Sequence, residues 1–234
     1  MATVDSLRTH LIDELLDLLD AERQLTETLP KLAQAATSKT LRAAFQKHLT
    51  ETRGHVVRLN QALRALGKEP SSKTCDAMKG LLEEGTSMMK KTAPGSLRDA
   101  VMITGAQKVE HYEMASYGTA RTYAMVLGEK AIARLLAQTL KEERGADQTL
   151  TKIAEGSINA NAAEEWHSQQ DDSMLLRTAE WAGSTAGYAS RQLTKGLRAA
   201  ASTIGLPRIR ASRSSTAGRR GGVTGRRRGA TKKR

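Results

Sequence analysis

Glu110 and Glu113 are the residues whose spacing first suggests chemistry. They lie in the stretch QKVEHYEMASY, residues 107–117, which holds nothing that breaks a helix. On a helix, two residues three apart share one face. Ile103, Ala106, Tyr117, Ala120 and Leu127 fall on that face in steps of three and four, so the pattern predicts that it is buried. Two carboxylates on an apolar stripe are costly unless something positive lies between them.

The same interruption recurs on three other predicted helices. The first runs over residues 5–36, with Leu7, Leu11, Leu15, Leu18, Leu25, Leu29 and Leu32 on one stripe and Glu22 filling its single gap. Pro30 is expected to kink or shorten it. The second runs over 38–66, between the capping residue Ser38 and the stop Gly67. Its stripe is Leu41, Ala44 or Phe45, His48, Glu51, His55, Leu59, Leu63 and Leu66. The third runs over 97–127, opens on the capping-box pattern Ser96-Leu-Arg-Asp99, and ends at Gly128. The fourth runs over 129–154, with Ile132, Leu136, Leu140, Glu143, Asp147, Leu150 and Ile153 on one face. At ~1.5 Å rise per residue, the polar groups all fall near mid-height. Short links make each consecutive pair antiparallel. The long 68–95 connection, with a short helix over 75–90, lets the chain cross the length of the bundle. The predicted fold is therefore all-α, an antiparallel four-helix bundle with one long crossover.

Composition agrees. The chain is rich in helix formers, aromatics make up 3% of it, and no period-2 strand is evident. Cys75 is the single cysteine, which excludes a disulfide framework and a CxxC metal site. No apolar run is long enough to cross a membrane, and the first residues do not read as a signal peptide, so a cytoplasmic location is expected. Charge is unevenly spread. Of the 37 Lys and Arg, 14 lie in residues 191–234, which hold no Asp or Glu; residues 1–190 keep 23 basic and 25 acidic side chains.

Packed together, the four helices bring six carboxylates and up to two imidazoles to one level. Charges on the outer face, or a buried ion-pair network, are the plainer readings. The second needs cations, and the central stripes supply few. Oxygen ligands with some imidazole and no thiolate suit iron or manganese. Six carboxylates around two divalent ions leave a charge of about −2 to be balanced by other groups.

The set Glu22, Glu51, Glu110, Glu113 and Glu143 resembles the ferritin-like di-iron carboxylate proteins, and the Glu-x-x-Glu of the third helix is similar to that of rubrerythrins. More narrowly, AERQL, HLTET, KVEHYEMASYGTA and EERGAD resemble the YciE/YciF-type ferritin-like stress proteins, over residues 3–165. The resemblance implies a ferritin-like bundle, a centre of two iron ions with manganese as the alternative, and a homodimer. The ligands it implies are Glu22, Glu51, Glu110, Glu113 and Glu143; this chain's own residues add Asp147 and an imidazole, either His55, which is favoured, or His48, with Tyr117 as a neighbour. Glu51 and Glu143 would bridge, Glu22 and Glu110 would be terminal, and Glu113 would be an additional ligand. The sequence departs from the wider pattern in two places. His48 precedes Glu51 and His55 follows it, where Glu-x-x-His is usual, and Asp147 stands where a histidine is expected. His111 is read as peripheral.

The implied activity is peroxide reduction or ferrous oxidation in a stress response, with an electron donor that the sequence does not identify. The alternative is a structural or DNA-associated protein that binds metal without turnover. Gly54 and Gly145, beside the expected site, are read as room for a small oxidant or as plain helix packing. The domains expected are residues 1–165 as bundle, 166–206 as a weakly helical extension in which Trp166, Leu175, Leu176 and Trp181 form a further helix, and 207–234 as a disordered tail. In that tail, Arg219, Arg220, Arg226, Arg227, Arg228, Lys232, Lys233 and Arg234 make a polycation suited to non-specific contact with DNA phosphates.

Overall fold

The computed structural model describes residues 5–174 except 72, 169, 171 and 172. The expected tail, and Leu175, Leu176 and Trp181 of the extension, lie outside the described residues. Five α-helices follow one another: α1 (Leu7–Ala35), α2 (Lys39–Ala65), α3 (Asp76–Lys90), α4 (Ser96–Val126) and α5 (Lys130–Ile153). There is no strand among the described residues. The four long helices form the bundle. α1 packs on α2 and α4, α5 packs on α2 and α4, and the crossover helix α3 lies against α4 and α1.

Local chemistry sets the boundaries. The Ser6 hydroxyl accepts from the Thr9 N–H, and the Ser38 hydroxyl from the Leu41 N–H, which caps α1 and α2. Gly67 and Gly128 adopt φ of 72° and 80° after α2 and α4, a conformation that favours glycine. Pro30 lies within α1 without ending it, at an exposed position where water can serve the carbonyl that loses its partner.

The start of α4 differs from the expected capping box. Its N-cap is Gly95, and no side chain caps it from within the motif. Asp99, 2% exposed, instead accepts from the Thr37 N–H at 2.9 Å and the Ser38 N–H at 2.7 Å. It thereby pins the α1–α2 turn to α4. A buried carboxylate that satisfies two backbone donors of a turn gains more than one capping its own helix end. The first N–H groups of α4 are served from a distance by Glu165, at 3.0 Å from Ser96 N and 3.4 Å from Leu97 N. Glu165 arrives there because α5 passes through a π-turn, Ala154–Ile158, and continues as helix over 159–168. The chain beyond residue 154 thus begins as a continuation of α5.

The core is divided by its polar layer. On one side lie Leu11, Leu15, Leu18, Leu19, Leu59, Leu63, Ile132 and Leu136, with Tyr117, Ala120 and Ala124. On the other lie Leu25, Leu29, Phe45, Met78, Met102, Val109 and Leu150, with Cys75. Burying each large aliphatic side chain contributes about 1.5–3 kcal/mol. These two apolar masses hold the charged layer between them.

Candidate metal centre

The layer is built from one to three residues of each long helix. α1 supplies Glu22; α2 supplies His48, Thr52 and His55; α4 supplies Glu110 and Glu113; α5 supplies Glu143. All are buried. His48 Nε2 stands 3.2 Å from Glu110 Oε1 and 3.8 Å from Glu143 Oε2. His55 Nδ1 stands 2.9 Å from Glu143 Oε1 and 3.1 Å from Glu22 Oε1. The Tyr117 hydroxyl donates to Glu22 Oε1 at 2.5 Å.

Donor atoms gather in two groups: His48, Glu110, Glu113 and Glu143 in one, and Glu22, His55 and Glu143 in the other. Within each group they lie within 4.8 Å of one another, and Glu143 belongs to both. Many of these atoms are buried without a hydrogen-bond partner: His48 Nδ1 and Nε2, His55 Nδ1, Glu22 Oε2, Glu110 Oε2, and both carboxylate oxygens of Glu113 and of Glu143. The His55 Nδ1 contacts are close but not aligned as hydrogen bonds. So many orphaned acceptors in one place would cost several kcal/mol without a positive partner.

Electrostatics make the same point. Burial, reinforced by the Glu143 and Glu22 carboxylates, pushes Glu110 well above the ordinary carboxylate range. Burial and the same two neighbours do the same to Glu113. Glu22 is also raised, chiefly by burial, against the pull of His55. Burial would lower His55, but Glu143 and Glu22 overcome it and hold the imidazole up to about 10. For Glu143, burial is outweighed by His55 and His48, which hold it below the ordinary range. Without a cation the cluster coheres only by taking up protons. Two divalent ions would balance four carboxylates and two neutral imidazoles with no net charge, and the donor set fits them.

Of the expected ligands, the structure brings Glu22, His55, Glu110, Glu113 and Glu143 together, and it adds His48 on equal terms with His55. Glu51 and Asp147 stand outside both groups. The Glu51 carboxylate, 21% exposed, pairs with Lys47 and lies 3.7 Å from His48 Nδ1. The His48 contact, helped by Lys47 and opposed by partial burial, lowers its pKa to about 2. Asp147 accepts from the Gln107 side-chain amide at 3.1 Å and lies 3.4 Å from His111, whose side chain is 68% exposed. The physical reason is helical phase. The inward stripe of α2 runs Phe45, His48, Thr52, His55, Leu59, and that of α5 runs Leu140, Glu143, Ala146, Leu150. Glu51 and Asp147 each sit one position off it.

Two residues of the site have no signal in the stripe pattern. His55 Nε2 lies 3.0 Å from Glu142 Oε2, and Arg58 forms an ion pair with the same oxygen. Arg58 Nε also donates to Thr139 Oγ1 at 2.8 Å. An imidazole that gives its Nε2 proton to Glu142 keeps the Nδ1 lone pair for the cluster, which is how a carboxylate fixes the tautomer of a metal-binding histidine. Gly54 lies beside this link, and a Cβ there would stand 3.5 Å from Arg58 Nη1, an ordinary contact. Gly145 has only open space around its Cα and serves no comparable purpose.

With this geometry in view, comparison with known proteins is decisive. The family described as Domain of unknown function (DUF892) matches residues 6–163. The chain belongs to this family. It is 41% identical over 163 residues to protein YciF of Escherichia coli K12, spanning 69% of this chain and 96% of that protein. The crystal structure of the E. coli stress protein YciF superposes with a TM-score of 0.64, covering 67% of this chain and 99% of the other. YcfI of Rhodopseudomonas palustris follows at 36% identity, TM-score 0.62 and 64% and 98% coverage. A ferritin-like, diiron-carboxylate protein of Bacillus anthracis shares the fold at 16% identity and TM-score 0.51, over 64% of this chain and 99% of its own. The bundle is therefore ferritin-like, as the third-helix motif implied. Among the described residues no helix is long and apolar enough to cross a membrane.

Proposed function

We propose that the chain is a dinuclear metal protein that holds two divalent ions, iron foremost, and uses them to consume an oxidant under stress. The observation that carries this reading is the pair of buried Glu/His groups sharing Glu143. His48, Glu110 and Glu113 would hold one ion and Glu22 and His55 the other, with Glu143 available to both. Glu51 becomes a second bridge only if its carboxylate leaves Lys47 and turns inward; Asp147 stays with Gln107. Two Fe(II) ions there would supply one electron each to cleave an O–O bond, a peroxide taking up two protons and leaving as two waters. The protein's own part is to orient and to exclude water. Tyr117 fixes Glu22, Glu142 fixes His55, and the two apolar masses keep bulk solvent out.

Anaerobic titration with Fe(II) tests this. The wild type should take up two ions per chain, and Glu143→Ala at most one. An optical change on adding oxidant should follow in the wild type alone. Two ions still bound by Glu143→Ala, or none by the wild type, would remove the dinuclear reading. The basic segment supports a second function, retention of nucleic acid, because residues 191–234 carry 14 Lys and Arg and no acid. Truncation after residue 206 should abolish DNA retention at low salt; retention that survives truncation refutes it.

A further inference from the structure

A cavity of about 60 Å³ adjoins the centre on one side, touching it at His48 and Glu110. Residues of all five helices line it, and several of them, Ala44, Leu82, Thr86 and Gly105 among them, are only partly buried, so the cavity is not sealed. Larger hollows of about 560 and 490 Å³ lie elsewhere on the surface and do not reach the cluster.

Three features of this cavity select what can enter. The first is size. A water needs roughly 10–15 Å³ of such space, and organic ligand pockets occupy about 300–1,000 Å³. The cavity holds a few small molecules and no organic substrate. The second is its wall, which is apolar over most of its extent, from Leu25 and Leu29 through Phe45 and Met102 to Val109 and Leu150. Two of its three threonines present little polarity, which leaves Thr86, Lys47 and Glu51 as the polar lining away from the inner end. The Thr28 hydroxyl donates to the Gln24 carbonyl at 2.9 Å and the Thr149 hydroxyl to the Gly145 carbonyl at 2.7 Å, which turns both onto their own helices. The third is its inner end, where Glu110 Oε2 and both ring nitrogens of His48 are buried without hydrogen-bond partners.

We infer that this cavity is the approach and holding site for dioxygen, delivered to the His48–Glu110 side of the centre. The inference rests on the dinuclear reading and adds dioxygen as an oxidant: two Fe(II) ions would give one electron each, and dioxygen with two protons would leave as hydrogen peroxide. An ion would lose its hydration against these walls. A peroxide would find hydrogen-bond partners at the inner end and at Lys47, Glu51 and Thr86, but would lose those of bulk water along the apolar remainder. Dioxygen has none to lose. Room exists because small residues stand one turn before the ligands: Ala44 precedes His48, and Ala106 precedes Glu110. Leucine at either position would fill the space without replacing a ligand.

The test has a structural and a kinetic arm, both on the full chain. Xenon-pressurised crystals should show xenon in the cavity of the wild type and none in Ala106→Leu. After anaerobic loading, Ala106→Leu and Ala44→Leu should bind Fe(II) with unchanged stoichiometry. Both should react with dioxygen at least tenfold more slowly, and with hydrogen peroxide at a rate changed by less than threefold. Two variants on opposite walls guard against a folding defect in one, which a thermal melt would expose. Absence of xenon from the wild-type cavity overturns the inference. So does an unchanged dioxygen rate in both variants, and so does an equal slowing with peroxide, which would make the cavity a route for any small oxidant. Failure of the wild type to bind Fe(II) instead defeats the dinuclear reading itself, and dioxygen as the occupant falls with it.

Discussion

The two halves of the bundle, divided by the Glu/His layer, are built differently. The half holding Leu15, Leu18, Leu19, Leu59 and Leu63 is packed with aliphatic side chains at or below 1% exposure. The half holding Leu25, Phe45, Met102 and Val109 contains the cavity and relies on α3, outside the bundle, to cover it. Both halves exclude water from the same charges, yet only the second leaves a way in. A buried charged layer needs rigidity on at least one side to keep its donors in place. It needs space on another side to react with anything. Dividing the two tasks between halves lets the leucine side be packed without regard to access.

The largest expected effect separates the halves directly. Leu15→Ala removes a fully buried side chain from the tight half and should cost about 3–5 kcal/mol. Leu25→Ala removes one of nearly equal burial, but its side chain already borders empty space and gives up fewer contacts. About 2–3 kcal/mol is expected there. Urea unfolding of the two variants measures the difference; equal losses would mean that the halves are packed alike.

That division was only partly legible in the sequence. The helices were, because their punctuation is local: Ser6 and Ser38 cap, Gly67 and Gly128 stop, and a stripe of leucines names the inward face. The level of the charged layer was legible too, since Glu22 fills the one gap in a leucine series. The last step of helical phase was not. Glu51 and Thr52 are adjacent, and a stripe that advances by three or four residues fits either until neighbouring helices choose. Packing turned Thr52 inward, fully buried, and left Glu51 at the rim with Lys47. Asp147 and Ala146 repeat the case on α5. Glu142 and Arg58 were invisible because their role depends on a contact between α2 and α5, more than 80 residues apart in the chain. The cavity was equally hidden, since it is the space that five helices leave between them.

A second effect lies in the layer between the halves and appears when metal is removed. Burial chiefly raises Glu110, Glu113 and Glu22 in the folded protein above the ordinary carboxylate value of 4.5. Raised carboxylates bind protons in the folded state that the unfolded chain has released, so stability falls as pH rises above about 4.5. His55, held up to about 10, contributes stability present below its unfolded value of 6.5 and lost as pH climbs toward 10. Glu51 and Glu143, both lowered, contribute stability that is constant above pH 5 and lost only in acid. From pH 5 to 8 the terms that change therefore share one sign. The metal-free protein should lose about 1.4 kcal/mol per pH unit for each proton in question, roughly 3–5 °C in Tm. Loading with metal should flatten the profile. A metal-free Tm that is level or rising over this range would contradict the buried, uncompensated layer.

The smallest effect comes from one substitution made in two places. Gly105 lies within α4 on the cavity side, where a Cβ would stand 3.5 Å from Gly85 Cα on α3, an ordinary contact. Gly105→Ala should therefore gain the intrinsic helix preference of alanine, about 0.5–1 kcal/mol, or roughly 2–4 °C in Tm. Fe(II) affinity should not change, because no ligand moves. Gly54 lies at the level of the charged layer, and there the added Cβ meets the Arg58 guanidinium, also at 3.5 Å. The contact distance is the same, but the neighbour is the group that holds Glu142 against His55. Gly54→Ala should gain similar stability and leave Fe(II) affinity unchanged, whereas Arg58→Ala, which releases Glu142, should weaken Fe(II) binding severalfold. Calorimetric Tm and anaerobic Fe(II) titration on the three variants separate the outcomes. If Arg58→Ala binds iron as tightly as Gly105→Ala, the Arg58–Glu142–His55 link does not tune the centre.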